Sequence, residues 1–207
     1  MHVYEEELNR STRWALQEAG LHFEQKSAVH QTLRRIAQWL DELSIRHAIA
    51  GSMALFFHGY RKFTEAVDLL VTSEGLKTIH QNLEGLGYRP LYAGSRHLRD
   101  TDSGVRVEFL VTGEFPGDGK PKPVAFPDPI QSMELIDGVP VLNLPSIFNL
   151  KLASGMTNPG RLKDLADAQE LIRILRLPAD FADQLNPFVR DKFTELHRAL
   201  ADNPPTD

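Results

Sequence analysis

The stretch IAGSMALFFHGYRKFTEAVDLLV, residues 49–71, predicts the centre of the fold. It takes in the end of a short buried strand, HAIA, which leads through a Gly51-Ser52 turn into a helical piece over 53–58. It ends in a second strand, AVDLLVT. A Gly-Ser pair between a strand and a helix lets the backbone approach an anion, and it presents unpaired N–H groups and a hydroxyl. This arrangement is typical of a phosphate-binding site.

Two carboxylates are predicted to converge beside this turn. Asp68 is the only charged residue of its strand, and burying it without a partner would be costly, so it must face a site, a partner or a metal. In the later run GVRVEFLVT, side chains alternate between two faces, so Arg106 and Glu108 share one face. If the two strands are neighbours, Asp68 and Glu108 can share a divalent cation. The alternative is an ion pair of Glu108 with Arg96, Arg99 or a neighbour of Arg106.

A lysine and two aspartates fall on the apolar sides of two predicted C-terminal helices. Lys151 lies inside the apolar arc of a helix over 145–155, where it either snorkels outward or meets an anion. Asp164 and Asp167 lie on the apolar side of the next helix, predicted over 161–175. The solvated face of that helix is predicted to carry Lys163, Gln169, Glu170 and Arg173. Two carboxylates and a lysine aimed at one core are mutual partners or parts of a site.

These residues carry a resemblance to a known family. The Gly51-Ser52 turn, Thr64 and the strand ending in VDLLV resemble the minimal nucleotidyltransferase family. The closest likeness is to its toxin branch, the AbiEii- and MenT-like proteins of abortive-infection and type IV toxin–antitoxin systems. The pattern LKLASG followed by RLKDLADAQELI resembles the C-terminal motif of the same branch. In that family a D-x-D pair on the second strand holds magnesium, whereas here Ala66 takes the place of the first aspartate.

The resemblance implies a set of site residues. The implied catalytic residues are Asp68, Glu108, Lys151 and Asp167, with Ala66 at the position of the missing aspartate. The predicted nucleotide-binding residues are Gly51, Ser52, Arg61, Lys151 and Asp164. Mg²⁺ or Mn²⁺ would be held by Asp68 and Glu108, and Lys151 would bind the triphosphate or neutralise its charge in the transition state. A structural role for Asp164 and Asp167, holding Lys151 and Arg161 in place, is the alternative.

The implied reaction is transfer of a nucleoside monophosphate from an NTP to an acceptor, with release of pyrophosphate. By resemblance the acceptor is a tRNA 3′ end or a protein hydroxyl, and a cognate antitoxin is a further partner. The alternative function is a catalytically silent nucleotide- or partner-binding module of the same fold, which Ala66 favours. A third interpretation is that Ala66 was introduced to disarm an active enzyme, since Thr64-Glu65 and Val67-Asp68 on either side are intact.

Composition limits the fold and the class of protein. A chain of 207 residues with 42% apolar content predicts one sizeable core. The fold class is α/β (α+β), a small mixed twisted sheet flanked by helices with a C-terminal helical bundle. The predicted domains are a nucleotidyltransferase-like region with N-terminal helices over 1–143 and a helical region over 144–207 packed on it.

Charge and residue usage exclude several functions. The absence of cysteine excludes a disulfide scaffold and thiol catalysis. The histidines show no metal-ligand spacing, so none is assigned to zinc. A net charge of -5 argues against general electrostatic binding of nucleic acid. The sequence has no apolar run of about 18 residues and begins with the charged MHVYEEELNR, so we expect a cytoplasmic protein without a membrane segment.

The remaining segments are predicted from periodicity and turn residues. Further helices are predicted over 5–19, 27–43 and 73–86, strand-like runs over 89–94, 95–101, 104–112 and 139–144, and two short helices in the tail before disorder from Asn203. The segment 113–129, GEFPGDGKPKPVAFPDP, has too many prolines and glycines for a helix or a central strand. It is either a lid over the site or an exposed excursion with Lys120 and Lys122 as solubilising charges.

Overall fold

The computed structural model describes residues 3–202 and shows a mixed sheet flanked by helices. The strands are β1 His47–Ile49, β2 Ala66–Val71, β3 Tyr88–Pro90, β4 His97–Asp100, β5 Arg106–Val111, β6 Met133–Ile136 and β7 Val139–Leu142. The helices are α1 Tyr4–Arg10, α2 Thr12–Phe23, α3 Ala28–Glu42, α4 Gly51–Phe57, α5 Ser73–Leu83, α6 Pro129–Ser132, α7 Leu144–Thr157, α8 Leu162–Leu175 and α9 Pro187–Asp202. Short 3₁₀ turns cover Pro159–Arg161 and Ala179–Gln184. The predicted α/β fold class is confirmed, and the disorder predicted from Asn203 lies outside the described residues.

The sheet places β2 and β5 side by side. Its seven strands run in the order β3-β4-β5-β2-β1-β7-β6. Strand β2 pairs in parallel with β5 and antiparallel with β1, and β1 pairs in parallel with β7. The register sets Asp68 opposite Glu108, as expected if the two strands are neighbours. Strand β2 is apolar except at Asp68 because both of its neighbours and the helices cover it, which is typical of parallel pairs.

Helix periodicity explains how the helices cover the sheet. In α3, the stripe of Val29, Leu33, Ile36 and Leu40 is buried, as the spacing predicts. Ser27 caps this helix by accepting a hydrogen bond from the backbone N–H of His30. Helix α7 packs on α8 and α9, around three buried rings, Phe148, Phe181 and Phe193, whose centroids lie 5.3 to 5.6 Å apart. Sheet and C-terminal helices share one continuous hydrophobic core.

Several predicted boundaries differ in the structure. The single N-terminal helix is two helices, because Ser11 adopts an extended conformation and caps α2 by accepting from the N–H of Trp14, whereas Gly20 lies inside α2. Helix α5 ends at Leu83 and not at 86. Helix α7 continues through Gly155, where a Cβ would lie 2.5 Å from Cγ of Leu165, so glycine permits close helix packing there.

Two elements were missed altogether. Helix α6 begins at Pro129, the last residue of the Pro-rich segment, and strand β6 follows it, where periodicity predicted no element. Strand β6 pairs antiparallel with β7 at the edge of the sheet. Its sequence, MELI, is too short for an alternating pattern to stand out, so its pairing with β7 is what identifies it.

Candidate functional site

The two predicted carboxylates meet on adjacent strands. Asp68 and Glu108 are directly opposite each other across the parallel pair β2–β5, and both line the same cleft. Burial, and then the negative charge of Glu108, raise the pKa of Asp68 from 3.8 to about 6, although Lys151 and Arg106 act in the opposite direction. Burial and the neighbouring carboxylate therefore outweigh the nearby basic side chains, and a bound cation would favour the ionised form of Asp68.

Gly51 makes room for one of these carboxylates. Its φ is +56°, and a Cβ at this position would lie 1.8 Å from Oδ2 of Asp68. The structure also places Gly51 and Ser52 in the first turn of α4 and not in a separate turn before it. Glycine is therefore required here because any larger residue would collide with the carboxylate of Asp68. The role of Gly51 in phosphate binding stays a prediction.

Ala66 stands two residues before Asp68 on β2. It is in register with Arg106 on β5, is 8% exposed and lines the cleft, so an aspartate at this position would face the same space as Asp68. The Nη2 of Arg106 lies 2.8 Å from Oε1 of Glu108. With alanine at 66, the glutamate is thus partly neutralised by an arginine of its own strand.

The arginines considered as alternative partners of Glu108 lie elsewhere. Arg96 pairs with Glu114 at 2.5 Å, and Arg99 donates to Oε2 of Glu5 at 2.8 Å. Glu108 pairs instead with its own strand neighbour Arg106 at 2.8 Å, because both side chains point to the same face. Nδ1 of His97 on β4 lies 3.9 Å from the same carboxylate oxygen.

Lys151 is the centre of a second, fully paired cluster. Its side chain is 11% exposed, and Nζ donates to Oδ1 of Asp164 at 3.1 Å and to Oδ2 of Asp167 at 2.8 Å. Lys62 donates to the other oxygen of Asp167 at 2.5 Å. Lys151 therefore meets anions and does not snorkel outward. The expectation that these charges are mutual partners is confirmed, while their part in catalysis stays a prediction.

Asp164 is held by three partners. Besides Lys151, it accepts hydrogen bonds at Oδ2 from Oγ of Ser154 at 2.7 Å and from Nε of Arg161 at 2.8 Å. Burial alone would raise the pKa of Asp164, but Lys151, Ser154 and Arg161 outweigh it and lower the pKa below its ordinary value. Asp164 is therefore ionised throughout the physiological range.

Two adjoining cavities form the cleft. A polar cavity of about 480 Å³ and an apolar cavity of about 240 Å³ are both lined by Gly51, Asp68, Glu108, Lys151, Arg161 and Asp164. The polar cavity carries five basic side chains, Lys62, Arg106, Lys151, Arg161 and Lys163, and five acidic ones, Glu65, Asp68, Glu108, Asp164 and Asp167. Because these charges balance, a polyanion in this cavity would need an added cation.

The Pro-rich loop is a wall of the apolar cavity. Phe115, Pro116 and Gly117 line it. Asn158, at the end of α7, donates to the carbonyl of Gly117 at 3.1 Å. Lys122 donates to the carbonyl of Pro116 at 2.5 Å and pairs with Asp118, with 6% of its side chain exposed. The expectation of a solubilising charge at Lys122 is therefore wrong, since its amine is largely buried against other residues of the loop, while the lid alternative stays a prediction.

The basic residues of the cleft differ in part from those predicted. Arg61 lines neither cavity, and its Cζ lies 5.8 Å from the centroid of the Phe56 ring. Its neighbour Lys62 lines the polar cavity instead. Lys163, predicted on the solvated face of α8, also lines that cavity, although it is exposed. Periodicity did not identify these two lysines as cleft residues, because the direction of each side chain depends on how α8 and the segment between α4 and β2 pack.

The donors in the cleft suit one kind of metal site. Within residues 3–202, no cluster of three or more His, Cys, Asp or Glu side chains is arranged to hold a metal ion. Asp68 and Glu108 form a two-carboxylate set, which fits Mg²⁺ held jointly with the phosphates of a ligand but not a site made by protein alone. Burial and then the charge of Glu108 disfavour the ionised form of Asp68, and such a cation would favour it.

Comparison with known proteins gives limited similarity. No family model matches the sequence, and no curated protein sequence matches it. Among solved structures, a Thermotoga maritima protein to which a nucleotidyltransferase function has been ascribed is 18% identical, with a TM-score of 0.40. The alignment covers 70% of this chain and 91% of that protein. Similarity at this level does not define a function. In the part of the chain that the structure describes, no helix is long and apolar enough to cross a bilayer.

Proposed function

We propose that this protein is a nucleotidyltransferase whose cleft binds a nucleoside triphosphate together with Mg²⁺. The observation that carries the proposal is the register of Asp68 with Glu108 across β2 and β5, in a cleft that Lys151 also lines. Two ionisable carboxylates on adjacent strands beside a buried lysine suit phosphoryl transfer, which depends on positioning and on charge stabilisation. The likeness of residues 49–71 and of the C-terminal motif to the family supports the same function.

The basic and the acidic side chains of the cleft would have different roles. Lys62, Lys163 and Lys151 would contact the phosphates, since they line the polar cavity. Asp68 and Glu108 would hold Mg²⁺, which when bound neutralises phosphate charge and balances the acidic residues of the cavity. An acceptor hydroxyl attacks the α-phosphorus, so its oxygen–phosphorus bond forms and the bond to the bridging oxygen of pyrophosphate breaks. The hydroxyl proton is released, and pyrophosphate leaves along the basic residues.

A second function, a silent nucleotide-binding module, is favoured by one observation. Ala66 supplies no carboxylate, and Arg106, which is in register with Ala66, already pairs with Glu108 at 2.8 Å. The paired cluster around Lys151 remains intact, so the phosphate-binding part of the cleft does not depend on position 66. An aspartate introduced at position 66 distinguishes between the two functions.

Ala66→Asp tests the proposed function directly. The new carboxylate would stand beside Asp68 on the same face of β2, opposite Arg106, and would complete a three-carboxylate set. We expect Mg²⁺-dependent transfer of a nucleoside monophosphate to tRNA or to protein, about 100-fold faster than in the protein with alanine. The assay uses labelled NTPs with total tRNA and, separately, with protein acceptors.

Ala66→Asn is the matched control, because it has the shape of aspartate without the charge and should recover much less activity. If Ala66→Asp binds Mg²⁺ no better than the protein with alanine and transfers nothing to either acceptor, the silent module replaces the transferase. Toxicity of Ala66→Asp on expression, relieved by the product of a neighbouring gene, would support the proposed toxin–antitoxin role and the cognate antitoxin.

A further inference from the structure

A row of three arginines crosses one face of the sheet beside the cleft. The register sets Arg89 of β3 opposite Arg99 of β4, and Arg99 opposite Arg106 of β5. Residues directly opposite one another on paired strands share a face, so the three side chains lie on one face of the sheet. They line a groove of about 370 Å³ together with Pro90, Leu91, His97 and Leu98. Because Arg106 also lines the polar cavity, the groove adjoins the cleft.

The acidic helix α1 supplies a carboxylate to this arginine row. Oε2 of Glu5 accepts a hydrogen bond from Nη1 of Arg99 at 2.8 Å, and Oε1 of Glu5 lies 3.8 Å from Nε of Arg106. The preceding residue, Tyr4, is fully buried, and its backbone N–H donates to the carbonyl of Gly104. Helix α1 is thus anchored so that Glu5 faces two of the three arginines.

One carboxylate does not satisfy the arginine row. Nε of Arg106 is buried and has no hydrogen-bond partner, because Oε1 of Glu5 is too distant to accept from it. Arg89 is exposed, and its side chain forms no ion pair or hydrogen bond within residues 3–202. Arg106 also pairs with Glu108 at the edge of the cleft. Three guanidinium groups therefore share two carboxylates, and N–H donors remain for an anion from outside.

A chain of linked phosphates fits the arginine row better than a single anion does. Neighbouring strands lie about 4.8 Å apart, so the row spans about 10 Å from β3 to β5, which is more than one anion can reach. A phosphate directs its oxygens tetrahedrally, whereas the two oxygens of a carboxylate lie in one plane, and the guanidinium fork pairs with either. Linked phosphates would therefore reach Arg89 and bond Arg99 and Arg106 together, which the carboxylate of Glu5 does not do.

We infer that the arginine row is a binding surface for a phosphate chain and that Glu5 is a built-in competitor, which such a chain displaces from Arg99 and Arg106. A nucleic-acid strand and inorganic polyphosphate share this chemistry. Arg89 and Arg99 line neither cavity of the cleft, so the inference goes beyond nucleotide transfer and does not depend on it. With Glu5 in place the protein would bind phosphate chains weakly, in keeping with its net charge of -5.

Fluorescence anisotropy with a labelled single strand of about ten nucleotides tests this surface, without NTP and with divalent cations removed. We expect Glu5→Gln to bind the strand about tenfold more tightly than the unaltered protein, since two arginines lose their competitor. Glu6→Gln is the matched control, because it makes the same change in net charge at an exposed residue of α1, and it should bind within about twofold of the unaltered protein.

The arginine row is tested from the opposite side by removing a guanidinium group. Arg89→Gln should weaken binding of the strand about fivefold, both alone and combined with Glu5→Gln. Arg198→Gln, which removes the same charge from an exposed residue of α9, should leave binding unchanged. Each phosphate contact adds about 0.7 to the slope of log K against log salt for a single strand, so Glu5→Gln should steepen that slope by about 0.7 to 1.4.

Competition distinguishes the two sources of phosphate. Inorganic polyphosphate that displaces the strand as well as an unlabelled strand does would show that phosphates alone are recognised. Weaker displacement by polyphosphate would assign the surface to nucleic acid, and both results support the arginine row. Polyglutamate that displaces the strand better than polyphosphate does would assign the row to an acidic protein and overturn the inference.

Two further results would overturn the inference. Equal gains in Glu5→Gln and Glu6→Gln would show an effect of net charge alone. Binding that is lost in Lys163→Gln and unchanged in Arg89→Gln would place the strand in the cleft. If Glu5→Gln melts early, Arg89→Gln and its control decide the outcome, since both replace exposed residues. None of these results depends on the transfer assay with Ala66→Asp, so the proposed function and this inference can fail separately.

Discussion

Two groups of buried charge lie side by side in this cleft, and they are balanced in opposite ways. In the cluster around Lys151, each aspartate has at least two cationic or hydroxyl partners within 3.1 Å, and the pKa of Asp164 is lowered. In the strand pair β2–β5, Asp68 faces another carboxylate and its pKa is raised to about 6. The first group is complete without a ligand, whereas in the second Glu108 pairs with Arg106 and, among the described residues, Asp68 forms no ion pair.

This difference separates structural from ligand-dependent charge. A paired buried cluster positions helices and lysines, and removing one member leaves another charge uncompensated. A pair of like charges costs stability until a cation arrives, which is the state expected of a binding site. Three substitutions test that distinction, in order of decreasing effect.

The largest effect is expected at Asp164. Asp164→Ala removes the shared acceptor of Lys151, Ser154 and Arg161, so we expect the free energy of unfolding to fall by about 3–5 kcal/mol, the usual result of breaking a buried pair. Urea denaturation at pH 7 measures this. Glu170→Ala, on the exposed surface of the same helix, is the control and should change stability by less than about 1 kcal/mol. Equal losses of stability in Asp164→Ala and Glu170→Ala would contradict the structural role of the cluster around Lys151.

A change of opposite sign is expected at Asp68. Because its folded pKa is raised, the folded protein binds this proton more tightly than the unfolded chain, so stability falls as the pH rises from 3.8 through about 6. Asp68→Asn abolishes this loss and should stabilise the protein by up to about 3 kcal/mol above pH 6 and by little below pH 4. Melting curves at both pH values provide the measurement. Destabilisation at pH 7.5 would mean that Asp68 is paired in the folded protein.

The smallest effect is expected at Arg106. Its pair with Glu108 is partly exposed, so Arg106→Gln should change stability by less than about 1 kcal/mol. The guanidinium lowers the pKa of Asp68, so the same substitution should raise that pKa above about 6. NMR titration of Asp68 would detect the change. Arg173→Gln, whose exposed pair with Glu170 lies outside the cleft, should leave the Asp68 titration where it is.

Local patterns in the sequence placed every described strand except β6 and put the carboxylates on strand faces. Alternation along GVRVEFLVT set Glu108 and Arg106 on one face, and the apolar run around Asp68 predicted a covered strand. Helical spacing also placed Lys151, Asp164 and Asp167 on the apolar sides of α7 and α8. These features follow from periods of two and 3.6 residues, which depend only on the neighbouring residues of the chain.

Local patterns were thus enough for the fold class and for the buried charges of the C-terminal helices. Packing decided that β2 and β5 are neighbours, that Lys62 and not Arg61 faces the cleft, and that Lys122 is buried within the Pro-rich loop. The bond between Lys62 and Asp167 joins residues 105 positions apart. No repeating pattern of neighbouring residues predicts such a contact, because it forms only when the sheet, the segment between α4 and β2, and helix α8 are packed together.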